Sequence, residues 1–114
     1  MKRLSLACLA LIALAAPATS REVGCRIEQG GRVVMERPCD FQAEGRDGSF
    51  SLSSLTGRPL FGGISVVTIS VIEPGLAEVR GLTQNGINSR WGTARRSQRD
   101  GACWQGDDFR VCAY

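Results

Sequence analysis

The stretch ISVVTISVIEPGLAEVRGL, residues 64–82, predicts an antiparallel pair of β-strands and therefore an all-β fold. Seven of the nine residues in 64–72 are β-branched, and β-branched side chains resist a helix and suit a pleated surface. Residues 73–75 place Pro and Gly in the order that a type II turn prefers. Residues 76–82 alternate between apolar and polar, which is the period of a half-buried strand. We predict that residues 64–72 form the central strand of a sheet and that residues 76–82 return beside it.

The same alternation recurs on the N-terminal side of this pair. Residues 49–53 alternate strictly, with Phe50 and Leu52 on one face and three Ser on the other. Two further strand-like runs, residues 23–28 and 32–37, flank a Gly-Gly turn, which is a hairpin signal. We expect Pro38 to end the second of these runs.

The C-terminal side carries the remaining strand signals. A strand is predicted at residues 87–93 after an Asn-Gly turn, followed by an Arg-rich loop at residues 94–100. A last hairpin is predicted between residues 102–105 and 109–114. Short strands at this spacing predict a small antiparallel barrel or sandwich of about seven or eight strands.

The first residues have the three parts of a secretory signal. Two positive charges follow Met1, residues 4–16 are free of charge, and Ala16-Pro17-Ala18 offers small residues at a peptidase site. The apolar run is shorter than the roughly 20 residues that span a bilayer. We expect a signal peptide at residues 1–18, a single β domain at residues 19–114 with no transmembrane segment, and a periplasmic or secreted location. Cleavage after Ser20 is the alternative, and Cys8 is interpreted as one more apolar residue of the signal.

Four cysteines remain after cleavage, namely Cys25, Cys39, Cys103 and Cys112. An even number in a short exported chain indicates two disulfides, whereas zinc sites need closer pairs. Three connectivities are possible. We favour Cys25–Cys39 with Cys103–Cys112, because each pair brackets a hairpin and Cys39 is expected opposite Cys25.

Charge and composition exclude several functions. Without Lys2 and Arg3 the 14 basic residues fall to 12, against 11 acidic ones. The mature chain therefore lacks the excess of positive charge that indicates nucleic-acid binding. The chain has no His, which removes the commonest general base and metal ligand. We therefore expect no catalytic residues, no metal site, no cofactor and no enzymatic activity.

Six residues are candidates for contact with a partner. Arg90, Arg95, Arg96 and Arg99 surround Trp91 in the sequence, and Trp104 follows Cys103 directly. Arg and Trp are enriched in binding hot spots, and Trp104 is expected on the exposed face of the last hairpin. The alternatives are a solvated Arg-rich loop, a Trp91 that belongs to the core, and a Trp104 that packs against a neighbour such as Tyr114.

The two ends of the chain carry a family resemblance. The segments CRIEQGGRVVMERPC (25–39) and GACWQGDDFRVCAY (101–114) resemble small exported proteins of alphaproteobacteria, a likeness that brings no function with it. The signal, the size, the all-β pattern and the ending Trp104-x-Gly106…Cys112 are also similar to the periplasmic inhibitors of c-type lysozyme. That resemblance implies a small β-barrel that inserts a loop into the cleft of the enzyme, although the inhibitory loop motif of the family has no clear counterpart here.

From these observations we expect a non-enzymatic binding module of the cell envelope with a protein partner, and its most specific form is an inhibitor of lysozyme. One alternative is a structural or envelope-associated protein with no small ligand. Another is a secreted effector or carbohydrate-binding module that stacks sugars on Trp91 or Trp104.

Overall fold

The computed structural model describes residues 20–114, which form a closed antiparallel barrel of eight strands. The strands are β1 (Ser20–Gln29), β2 (Arg32–Ala43), β3 (Phe50–Ser53), β4 (Ile64–Glu73), β5 (Leu76–Thr83), β6 (Asn88–Arg96), β7 (Cys103–Gln105) and β8 (Phe109–Ala113). Each strand pairs with the next, and β8 pairs back with β1 to close the barrel. The predicted all-β fold is confirmed, as a barrel. The predicted signal peptide at residues 1–18 lies outside the described residues.

The interior is filled by alternate side chains of the strands, as their period-2 patterns require. Phe50 and Leu52 are buried, and the Ser residues between and beside them face outward, as predicted. The other strands contribute Val23, Cys25, Ile27, Met35, Cys39, Val67, Ile69, Ala77, Val79, Ala94, Trp104, Phe109 and Val111 to the same core. One continuous apolar core therefore joins all eight strands.

The prediction that residues 64–72 form a central strand was wrong. A closed barrel has no centre, and β4 has one neighbour on each side like every other strand. Its apolar residues consequently divide between the two faces. Val67 and Ile69 are fully buried, whereas Ile72 is 58% exposed.

Pro38 does not end β2, which continues to Ala43. The reason is the length of β3, which pairs only with residues 40–43 of β2. Within the part of the chain that the structure describes, no strand lies beside Pro38 on the β3 side of β2 to accept a hydrogen bond from an N–H there, so a residue without that donor is tolerated.

Both predicted disulfides are present, Cys25–Cys39 between β1 and β2 and Cys103–Cys112 between β7 and β8. Cys39 nevertheless lies opposite Val23 rather than opposite Cys25. The Gly-Gly turn sets Gln29 opposite Arg32, and one bulge follows between Ile27 and Glu28. In the resulting register Cys25 lies opposite Arg37, two residues before Cys39. The first disulfide therefore joins diagonal neighbours, whereas Cys103 and Cys112 are directly opposite.

Candidate binding face along strand β6

A β-bulge near the start of β6 determines where Trp91 lies. Val79 of β5 pairs with Gly92 and Arg80 pairs with Arg90, so Trp91 is the extra residue between them. Gly92 has a φ of 127°, a conformation that residues with a side chain rarely adopt. A bulge of this kind redirects a side chain. Here it turns the indole toward the core, against which Trp91 packs while half-buried.

The indole of Trp91 is wedged between three neighbours. A Cβ at Gly81 would lie 2.8 Å from the Nε1 atom of Trp91, so only glycine leaves room for the ring. Phe61 and Phe109 meet the indole edge-on, with ring centroids 6.1 and 5.6 Å away. Edge-to-face pairs of this kind are favourable arrangements of aromatic rings. The position of Trp91 therefore depends on the absence of a side chain at Gly81.

Replacing Gly81 with alanine is expected to displace the indole and to lower the free energy of unfolding by about 1–3 kcal/mol, the usual effect of overpacking. Urea denaturation followed by tryptophan fluorescence measures this loss. Gly63→Ala is the matched control, because a Cβ there meets no atom within 4 Å. An equal loss in both variants would contradict the wedged position of Trp91.

An open cleft of about 410 Å³ lies beside Trp91. Its other lining residues come from β6 and from two hairpins. Arg90 belongs to β6, Gln29 and Gly30 are the last residue of β1 and the first of the β1–β2 turn, and Asp108 and Phe109 are the last residue of the β7–β8 turn and the first of β8. The Gly30 N–H donates to the Asp108 carbonyl at 2.8 Å, which ties the two turns together. The cleft is thus framed by connected elements.

Arg90 carries the accessible positive charge of this cleft. Its Nε atom lies 2.7 Å from Oε2 of Glu78, whose other oxygen is 3.3 Å from Nε of Arg80. The Arg90 side chain is still 59% exposed. The ion pair orients the guanidinium while leaving much of it open to a partner, and an exposed pair of this kind adds little stability.

The other predicted arginines are divided along β6. Arg95 and Arg96 belong to the strand, so the predicted loop at residues 94–100 was wrong for its first three residues. β6 extends this far because Arg95 pairs with both Leu76 of β5 and Gln105 of β7. A second open groove of about 400 Å³ runs beside them, between residues 93–97 and residues 105–107. Arg99 lies apart from both clefts, in the β6–β7 connection.

The expectation that Trp104 is exposed was wrong, because it is only 3% exposed. Cys103 and Trp104 do face opposite sides of the sheet, but Trp104 is the inner of the two. The guanidinium of Arg96 covers the ring at 5.4 Å from its centroid, and Arg96 Nε donates to the Gly101 carbonyl at 2.6 Å. Trp104 therefore belongs to the core and offers no open face to a partner.

Tyr114, the neighbour that the sequence suggested for Trp104, lies against the Cys103–Cys112 disulfide. Its hydroxyl lies 3.6 Å from Sγ of Cys103 and donates to Oδ2 of Asp100 at 2.8 Å. This bond, together with the N–H of Ala102, holds the pKa of Asp100 below its usual range. The same bond to Asp100 raises the pKa of Tyr114 above its usual value. The C-terminal residue is thereby tied to the β6–β7 connection.

Sequence reasoning found Arg90 and Trp91 but missed Gln29, Gly30 and Asp108. These residues reach the cleft only through barrel closure, which joins the β1–β2 turn to the β7–β8 turn. The turn of the predicted last hairpin, between residues 105 and 109, contains Asp107 and Asp108, and both do lie between β7 and β8. Nothing local in the sequence connects that turn with Trp91.

Two other kinds of feature are absent from the described residues. Within residues 20–114, no cluster of three or more His, Cys, Asp or Glu side chains is placed to hold a metal ion. No helix in the same residues is long and apolar enough to span a membrane.

The fold and the cleft define an eight-stranded antiparallel barrel with a polar, Arg-bearing cleft between two of its turns. Comparison of the chain with protein-family models, with curated proteins and with solved structures finds no match.

Proposed function

We propose that this protein is an exported, non-enzymatic binding module of the cell envelope, periplasmic or secreted, and that it binds a protein partner along β6. The observation that carries the proposal is the cleft in which the exposed guanidinium of Arg90 adjoins the half-buried Trp91. Arg and Trp dominate the hot spots of protein interfaces. The two disulfides support export, because disulfides form and persist in oxidising compartments.

The most specific form of this proposal is inhibition of c-type lysozyme. Lysozyme cleaves its substrate with two carboxylates in a cleft, and a guanidinium is the side chain best suited to grip a carboxylate in two places. Arg90 supplies such a group in the open cleft beside Trp91. Its neighbours Gln29 and Asp108 supply further hydrogen-bonding groups around it.

The test is a titration of oxidised, purified protein against c-type lysozyme, with lysis of cell walls as the readout. We expect stoichiometric inhibition that disappears when the disulfides are reduced. Arg90→Gln is expected to weaken inhibition by at least about ten-fold, because a charged hydrogen bond contributes roughly 1.5–3 kcal/mol.

Arg46→Gln is the matched control, since Arg46 is an exposed arginine in the β2–β3 connection, outside the cleft. It is expected to inhibit like the unaltered protein. Absence of inhibition at about tens-of-micromolar excess would remove the lysozyme form of the proposal, and equal weakening by both substitutions would remove the role of Arg90.

The carbohydrate-binding alternative rests on Trp91 alone, because Trp104 is buried. Stacking requires an open aromatic face, and two edge-on Phe rings and Gly81 already contact the indole of Trp91. Quenching of tryptophan fluorescence by a soluble sugar would favour this alternative over a protein partner. If the protein neither captures a partner protein nor shows quenching by a sugar, the structural alternative with no small ligand is favoured.

A further inference from the structure

The barrel is closed between β6 and β7 by only two residue pairs, Arg95 with Gln105 and Arg96 with Trp104. On its other side β6 is paired with β5 over nearly its whole length, from Asn88 to Arg95. The difference arises because β7 ends at Gln105, where the chain turns toward β8. Among the described residues 20–114, residues 88–94 of β6 therefore have a strand neighbour on one side only.

The direction of the β6 amides shows which group faces the open side. The Arg96 N–H donates to the Gly75 carbonyl on the β5 side, and the Ser97 N–H donates to the Cys103 carbonyl on the β7 side, each at 2.9 Å. Successive residues of an antiparallel strand direct their amides to opposite sides. Thr93, four residues before Ser97, consequently faces the β7 side, where no strand of the described residues lies opposite it.

Two depressions adjoin the open side of β6. The cleft of about 410 Å³ lies against Arg90 and Trp91, and the groove of about 400 Å³ lies against residues 93–97. Within the groove, residues 93 and 94 lie outside the two residue pairs that join β6 to β7. The β7–β8 turn contributes to the opposite wall of both depressions, together with the β1–β2 turn in the cleft, and the edge of β6 is accessible between these walls.

Charge indicates what kind of segment would fit. Residues 88–96 carry Arg90, Arg95 and Arg96 and no acidic residue, whereas Asp107 and Asp108 lie on the opposite wall of the two depressions. An added strand that pairs with β6 would therefore meet the arginines as its direct neighbours. The side chains of Arg90 and Arg95 are exposed, and within residues 20–114 Arg95 has no ion pair. Carboxylates on an added segment would meet these guanidinium groups from the open side.

We infer that the open edge of β6 receives an extended, acidic segment of a partner protein, which adds to the barrel as a short strand beyond the end of β7. Main-chain hydrogen bonds would provide the affinity, and the arginines would select carboxylate side chains. The inference rests on the proposed function, because it specifies how the same face engages a protein.

The probe is a capped hexapeptide of alternating Glu and Val, added to the oxidised, isotope-labelled protein and followed by amide hydrogen exchange. At saturation we expect exchange of the Thr93 amide to slow by at least about ten-fold. The amide of Ser97, already bonded to Cys103, is the internal control and should not change. A peptide of alternating Lys and Val is expected to bind at least about ten-fold more weakly, because it presents the wrong charge.

Two further comparisons test the main-chain bonds themselves. The acidic peptide N-methylated at alternate residues is expected to bind the unaltered protein at least about ten-fold more weakly, because each lost hydrogen bond reduces affinity. Thr93→Pro removes the outward N–H and should weaken binding similarly, whereas Thr93→Ala keeps that N–H and should not. The N-methylated peptide tests the same bonds should the proline variant fail to fold.

The inference is overturned if neither peptide slows exchange at Thr93, or if N-methylation leaves the affinity unchanged. Its failure is distinguishable from failure of the proposed function. If the protein inhibits lysozyme but the peptide does not protect the Thr93 amide, the proposed function holds and strand addition does not. If the peptide protects the Thr93 amide but the protein does not inhibit lysozyme, strand addition holds and the partner is a protein other than lysozyme.

Discussion

Trp104→Ala is expected to lower the free energy of unfolding by about 3–5 kcal/mol, the range for removal of a buried Trp side chain. Trp104 is 3% exposed and contributes one of the two residue pairs that join β6 to β7. The substitution leaves a cavity in the core and removes the ring beneath the guanidinium of Arg96. Because a domain of this size is typically stable by about 5–15 kcal/mol, the variant is expected to be close to unfolding.

Urea denaturation followed by circular dichroism measures this effect without relying on the removed fluorophore. Trp104→Phe is the conservative control and should lose less, because a ring remains in the cavity. Arg96→Ala removes the cation above the ring, which contributes about 0.5–1 kcal/mol, together with the hydrogen bond that Arg96 donates to the Gly101 carbonyl. A loss for Trp104→Ala below about 1 kcal/mol would mean that the ring is not a core element.

Removing the Cys25–Cys39 disulfide by the double substitution Cys25→Ala and Cys39→Ala is expected to lower the free energy of unfolding by about 3 kcal/mol. The bond closes a loop with a sequence separation of 14 residues, and a cross-link of that length restricts the unfolded chain. Both cysteines are also buried in the core. Alanine at these sites therefore adds a small packing loss to the loss of the cross-link.

The second disulfide provides the comparison for this prediction. Cys103–Cys112 closes a shorter loop, with a separation of 9 residues, so its removal should destabilise slightly less in the chain-entropy model. Denaturation of both double variants beside the unaltered protein tests the order. Free thiols in the oxidised, purified protein, or losses well below about 1 kcal/mol for both variants, would contradict these assignments.

The candidate site was predictable only in part. Arg90 and Trp91 are adjacent in the sequence, and their residue types indicate binding without any knowledge of the fold. Gln29 and Asp108 lie far from them in the chain and join the same cleft. Trp104 was placed on the wrong face, because alternation within a three-residue strand shows that Cys103 and Trp104 oppose each other but not which one points inward.

The sequence by itself determined the all-β class and the approximate positions of the strands, and it favoured the two disulfides that the structure contains, because these depend on neighbouring residues. Alternation with period 2 marks a strand, Gly and Pro mark its turns, and two cysteines that bracket a hairpin are brought together by that hairpin. Residues 49–53, for example, need no distant contact to predict Phe50 and Leu52 on one face. Only the tertiary structure decided closure, because pairing of β1 with β8 joins residues from opposite ends of the chain. In the closed barrel β4 has two neighbours like every other strand, so it is not central. Closure also places Gly30 within hydrogen-bonding distance of Asp108, beside Trp91.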